Sequence, residues 1–233
     1  LAALLCVAGL LTAATVRAQS SCSSDGQAAP TRLLERFINA DCQACWPAPG
    51  ETPPADALVL DWITPGSQGE AAPLSAAALR DSLWRLQALG QPVPARSAKW
   101  ALPVATIPGL QLRVAHGLPL NGYLGASITL ALSASLAAQA QREGWQAWLV
   151  VVETIAAGTE GTPAERHLVR NSLQPDWNWA GPTGTGTWQF SETRPMSLPE
   201  GTQAQRLGVV GWVQDSRGHV LAAARSQCTP QEE

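Results

Sequence analysis

The chain has 233 residues, a formal charge of −3 and a hydrophobic content of 45%, which is apolar enough to bury a core and too weakly charged for a disordered polymer. Its arginines are scattered, Lys99 is the only lysine and no basic stripe is visible, so a nucleic-acid partner is not indicated. Past the first residues no segment is apolar over the roughly 20 positions that a bilayer span requires.

Residues 1–16 are uncharged and apolar, and Val16-Arg17-Ala18 puts small or aliphatic side chains at the positions that direct signal cleavage. The expectation is a signal peptide of residues 1–18 and a soluble exported protein, periplasmic or secreted, with an uncleaved anchor as the alternative. Residues 19–30 then read as a Ser/Gly/Ala-rich tail. Residues 31–40, with Leu33, Leu34, Phe37 and Ile38, predict a buried strand running into Cys42-Gln43-Ala44-Cys45. The prolines that follow, Pro47, Pro49, Pro53 and Pro54, block a long helix. Residues 57–64 predict a second strand. Residues 75–89 predict a helix, with Ser75 as its N-cap, Leu79, Leu83 and Leu86 at helical spacing and Gly90 as its stop.

A proline-rich connection follows (Pro92, Pro94, Pro103, Pro108), and the composition changes. Strand-like runs at 110–115, 123–133, 147–154, 167–173, 187–191, 207–214 and 220–225, broken by Gly, Pro and polar residues, predict a β-sandwich. A short helix is expected at 136–142. The fold class expected is therefore α+β: residues 19–109 form a reduced thioredoxin-like portion and residues 110–233 an antiparallel β-sandwich.

Leu33-Leu34-Glu35-Arg36-Phe37 followed by Cys42-Gln43-Ala44-Cys45 resembles the opening of a family of secreted bacterial thioredoxin-like proteins of unknown function. In that family an apolar-apolar-Glu-x-Phe strand precedes Cys-x-x-Cys and then Pro-Pro-Ala-Asp. Pro53-Pro54-Ala55-Asp56 is present, displaced from Cys45 by residues 46–52. The region around Gly211-Trp212-Val213-Gln214-Asp215 is similar to the β-rich portions found beside such halves. The resemblance implies fold and export, and no defined activity.

Two chemistries fit Cys42 and Cys45. As a thiol–disulfide exchange pair, Cys42 attacks and Cys45 resolves, with protein thiols or disulfides as substrates and no cofactor beyond the cysteines themselves. A cis-proline facing the pair is then expected, at Pro108 of Thr106-Ile107-Pro108 or at Pro103. Pro47 and Pro49 leave little helix to lower a thiol pKa, and Asp41 sets a negative charge beside Cys42. The second reading is a structural disulfide. Loss of Cys6 with the signal leaves four cysteines with three possible connectivities, of which Cys42–Cys45 with Cys22–Cys228 across the termini is the most economical. Zinc at the motif needs two further ligands, and His116, His167 and His219 lack paired spacing. No nucleophile elbow or phosphate loop occurs. The ten tryptophans include Trp177 and Trp179, which serve either a sandwich core or a partner-binding surface. A non-catalytic binding or structural module, stapled by two disulfides, is the alternative function. Nothing in the sequence indicates oligomeric state.

Overall fold

A computed structural model describes residues 22–48, 53–179 and 186–228. The expected signal peptide lies outside them. Among the described residues two helices, α1 (Asp81–Ala88) and α2 (Ala134–Glu143), accompany twelve strands, β1 (Cys22–Ser23), β2 (Arg32–Asn39), β3 (Ala57–Thr64), β4 (Ser97–Pro103), β5 (Leu110–His116), β6 (Tyr123–Ser133), β7 (Gln146–Ile155), β8 (Arg166–Leu173), β9 (Thr187–Ser197), β10 (Leu207–Gln214), β11 (Val220–Arg225) and β12 (Gln227–Cys228). They form a seven-stranded sheet in the order β11-β10-β7-β8-β3-β2-β4 and a five-stranded sheet in the order β12-β1-β5-β6-β9.

The seven-stranded sheet overturns the expected α+β division. β2 and β3, assigned by sequence to a thioredoxin-like portion, pair in parallel along their full length, and β3 pairs in parallel with β8 from the other side. Four of the strands expected in a separate sandwich therefore continue the sheet that β2, β3 and β4 begin. The structure is mostly β, and among the described residues the helical segment at the Cys-x-x-Cys motif is a 3-10 turn, Gln43–Cys45. The physical signature is β3 itself: all eight residues are buried, as expected of a strand flanked on both sides with both faces covered.

The sheet also curls on itself. Val104, just past β4, bridges Val220 of β11 in parallel, and the Ala105 amide donates to the Val220 carbonyl at 2.9 Å. The edges thus touch, enclosing Leu33, Phe37, Leu60, Trp62, Trp148, Val150 and Trp212, against which α1 sets Leu86. The opposite face of β7 and β10 (Leu149, Val151, Val209, Val213) packs on Val114, Ile128 and Leu130 of the five-stranded sheet. β6 shows the alternation of a half-covered strand, with Leu124, Ala126, Ile128, Leu130 and Leu132 inward.

The helix expected over residues 75–89 is split. Ser75–Ala77 is a 3-10 turn, Ala78 is extended and the Leu79 amide donates to Ile63 of β3 at 3.0 Å, so that α1 begins only at Asp81. The Ser75 hydroxyl donates to the Glu70 carbonyl instead of capping α1. The short helix expected at 136–142 is α2, two residues longer at its start and one at its end: the Ser133 hydroxyl accepts from the Leu136 amide, and Gly144 takes the left-handed conformation at φ 62°.

Candidate functional site

β2 carries the chain directly to the Cys-x-x-Cys turn. The Cys42 amide donates to the Asn39 carbonyl and the Cys45 amide to the Cys42 carbonyl, each at 2.9 Å. Asp41 ties this turn to the loop after β3: its carboxylate accepts from the Ser67 amide and hydroxyl, both at 2.7 Å, and from the Gln68 amide at 3.2 Å. The Ser67 hydroxyl first, and then the two amides, hold the Asp41 carboxyl below its ordinary pKa. A Cβ at Gly66 would lie 2.1 Å from Asp41 Oδ1, so a larger residue there must displace the carboxylate that makes these bonds.

Cys42 and Cys45 are joined as a disulfide. They are 8% and 7% exposed, and they pack with Ile38, Ile63, Ala72, Ile155 and Leu168. Only the three-residue turn Gln43–Cys45 follows Cys42, whose side chain makes no capping hydrogen bond to it, so no run of aligned peptide dipoles points at its sulfur. The expected cis-proline is absent. No cis peptide bond occurs among the described residues, Pro103 and Pro108 included. Val104, between those prolines, bonds to Thr31 at the start of β2, so this connection lies at the end of β2 opposite the cysteines.

The segment after Cys45 is clamped by Arg166, a residue the sequence reading passed over. Its guanidinium donates to the carbonyls of Trp46 (2.7 Å) and Ala48 (2.8 Å) and to Thr162 Oγ1 (3.1 Å), and it stacks 5.6 Å from the Trp46 ring centre. Asp61 lies 3.6 Å from Arg166 and 2.7 Å from Arg36. Burial lowers the Arg166 pKa, and the Asp61 carboxylate opposes that effect. The Trp46 indole N–H donates to the Glu160 carbonyl at 2.8 Å. Trp46 thereby forms one wall of a groove of about 310 Å3 that also includes Ile63, Leu74, Ile155, Leu168 and Arg170.

Comparison with known protein families, characterised proteins and solved structures returned no match. The geometry of the chain itself therefore carries the functional argument.

Trp177 and Trp179 do not form an open aromatic platform. Trp177 is buried in the core between the sheets, the two rings meet edge to face at 5.7 Å, and the Trp179 N–H donates to the Trp145 carbonyl at 3.0 Å. Cys22 and Cys228 are bonded to each other, a sequence separation of 206, with His116 alongside. Burial lowers the His116 pKa, with the Gly117 carbonyl opposing it. The remaining histidines lie apart: His167 sits 3.1 Å from Glu165 and His219 2.9 Å from Asp215.

A second buried polar cluster lies inside the curled sheet. Arg85, fully buried, donates from Nε (2.9 Å) and Nη2 (2.6 Å) to the two oxygens of fully buried Glu35, and from Nη1 to Gln214 Oε1 at 2.6 Å. Its guanidinium carbon lies 4.9 Å from the Trp212 ring centre and 5.3 Å from that of Trp148. Trp62 donates to Glu35, and Trp212 donates to Gln214. Glu35 stands out in sequence as a charged residue within an apolar strand. Arg85 has no such signal, because it sits on a helix whose face toward the sheet is set by tertiary packing.

Proposed function

We propose that this chain is a non-catalytic binding module of an oxidising compartment, in which Cys42–Cys45 is a structural staple and the groove beside Trp46 receives an apolar group of a partner. The observation that carries the reading is the burial of both sulfurs in the Ile38–Ile63–Leu168 cluster beneath a segment clamped by Arg166. An exchange disulfide must present one sulfur to an incoming thiolate, and its attacking cysteine works best as an exposed, stabilised thiolate. Neither sulfur is presented. Two disulfides in one small chain support an oxidising compartment, and with it the export expected from residues 1–18. The groove, by contrast, has an apolar floor and a polar rim that includes Glu160, Arg170 and Glu200, the composition of a small binding site.

The test equilibrates the folded chain with glutathione redox buffers, traps thiols by alkylation and maps them by mass spectrometry. The staple should stay oxidised at potentials where exchange-active pairs are reduced, with its midpoint below about −300 mV, and the chain should show no disulfide-reductase turnover. In the same preparation an apolar fluorophore should bind, and Leu74→Glu should abolish that binding. A Cys42–Cys45 midpoint in the range of exchange proteins, together with turnover, would restore the exchange reading. Fluorophore binding that Leu74→Glu leaves unchanged would remove the groove from the proposal.

A further inference from the structure

β1 lies between β12 and β5, with Cys22 directly opposite Cys228 on one side and His116 on the other. Directly opposed residues of antiparallel strands project from the same face of a sheet. The two sulfurs and a ring nitrogen of His116 consequently lie within 4.8 Å of one another. Cys22 and His116 are buried while Cys228 is exposed, so the row opens to solvent at one end.

His116 has the arrangement of a ligand. Its Nδ1 is 2.9 Å from the Gly117 carbonyl oxygen, and a carbonyl can only accept, so Nδ1 carries the proton and Nε2 keeps its lone pair. Nε2 is buried with no hydrogen-bond partner among the described residues, in a side chain only 5% exposed. Buried ring nitrogens are ordinarily satisfied. An Nδ1–H held by a backbone carbonyl is also the outer contact that orients metal-bound histidines.

We infer that Cys22, Cys228 and His116 form a redox-gated site for a thiophilic d10 cation such as Zn2+, closed while the disulfide is intact and opened by its reduction. A dithiol reductant supplies the two electrons and two protons: the Cys22–Cys228 bond breaks, each sulfur becomes a thiol and the reductant forms its own disulfide. The metal ion then displaces the two thiol protons to solvent and forms two metal–sulfur bonds and one to Nε2. Metal–sulfur bonds of about 2.3 Å and metal–nitrogen bonds of about 2.0–2.1 Å place tetrahedral donors roughly 3.5–4 Å apart. The row approaches that spacing without any change in strand register. A fourth position faces the solvent side, where Cys228 is exposed. The site is separate from the Cys42–Cys45 staple and does not depend on the role of that pair.

The experiment titrates the full-length chain, reduced anaerobically with a non-coordinating phosphine, with Co2+ as a spectroscopic probe and then with Zn2+ as competitor. The expected result is one ion per chain, thiolate-to-metal bands in the near ultraviolet that Zn2+ removes, and no bands in the oxidised chain. Cys22→Ser/Cys228→Ser should abolish the bands, and His116→Gln should weaken binding at least about tenfold. On Zn2+ addition the Nε2 resonance of His116 in the reduced wild-type chain should shift, a readout that does not depend on any variant folding. Equal affinity in wild type and His116→Gln, an unmoved Nε2 resonance, absent thiolate bands or loss of the β-type circular dichroism on reduction would each overturn the proposal.

Discussion

Replacing Arg85 with methionine removes the partner of a carboxylate that has no solvent contact. Glu35 and Arg85 both have 0% side-chain exposure and share three hydrogen bonds of 2.6–3.1 Å. Cutting one member of such a pair leaves the other buried and uncompensated, at a cost of about 3–5 kcal/mol. The stacked rings of Trp148 and Trp212 lose their cation as well, a contribution of about 0.5–2 kcal/mol. Urea unfolding followed by far-ultraviolet circular dichroism is the assay. With a slope of about 2–3 kcal/mol per molar, a loss of about 4 kcal/mol moves the midpoint down by about 1.3–2 M. Glu35→Leu alone should cost a similar amount, because Arg85 then keeps only Gln214. The double variant should lie far closer to wild type than the sum of the singles, because a buried pair exchanged for apolar side chains of similar volume is often neutral. Additive single costs, or an Arg85→Met loss below about 1 kcal/mol, would refute the view that these side chains act as one buried unit.

The two disulfides should differ in their effect on stability. In the chain-entropy model a separation of 206 gives about 5 kcal/mol for Cys22–Cys228, against about 1.5–2 kcal/mol for the separation of 3 at Cys42–Cys45; unfolding of the two Cys→Ser pairs by denaturant checks the order. Gly211→Ala should destabilise by about 1–3 kcal/mol, because its Cβ would meet Val114 Cγ1 at 2.6 Å and Ile128 at 3.0 Å between the sheets; thermal unfolding measures it. Burial opposes the charge of Asp215, yet the His219 amide and ring and the Arg217 amide overcome this and depress its pKa. A depressed carboxyl stabilises the fold above its unfolded pKa of about 3.9 and loses that contribution as pH falls through the folded value. Asp215→Asn should therefore flatten the acid limb of stability below about pH 4, seen as a smaller loss of melting temperature between pH 4 and pH 2.

Local chemistry was readable in the sequence where it depends on neighbours along the chain. The largely apolar run Ala57–Thr64, broken by Asp61, is β3, the strand-like run from Tyr123 to Ser133 is β6, and the helix expected at 136–142 lies within α2. β4 was hidden because Pro92, Pro94, Pro103 and Pro108 read as a linker. It is an edge strand with alternating exposure and Pro103 at its end, where a missing donor is tolerated. Pro195 is carried within β9 for the same reason. Strand partners were not readable. The runs beyond residue 110 look like one sandwich because nothing local distinguishes β8, which pairs with β3, from β9, which pairs with β6. The candidate site divides in the same way. The spacing of Cys42 and Cys45 predicts that they can meet, whereas their burial depends on Ile155 and Leu168, and the grip on Trp46 depends on Arg166, all distant in sequence.

The parallel pairing of β3 with β8 has a kinetic consequence. During synthesis from the N-terminus, β2, β3 and β4 are available together, but one edge of β3 has no partner until residues 166–173 arrive. Sheets assembled from such distant segments form slowly and expose apolar edges meanwhile. Asp61, in the middle of that waiting edge, gains Arg166 and the His167 amide only when β8 docks, so a charged residue marks the edge until its partner is in place. A fragment ending before residue 166 should therefore aggregate instead of folding to half the molecule, and a helper that shields a bare strand edge would act at this stage of the chain's maturation.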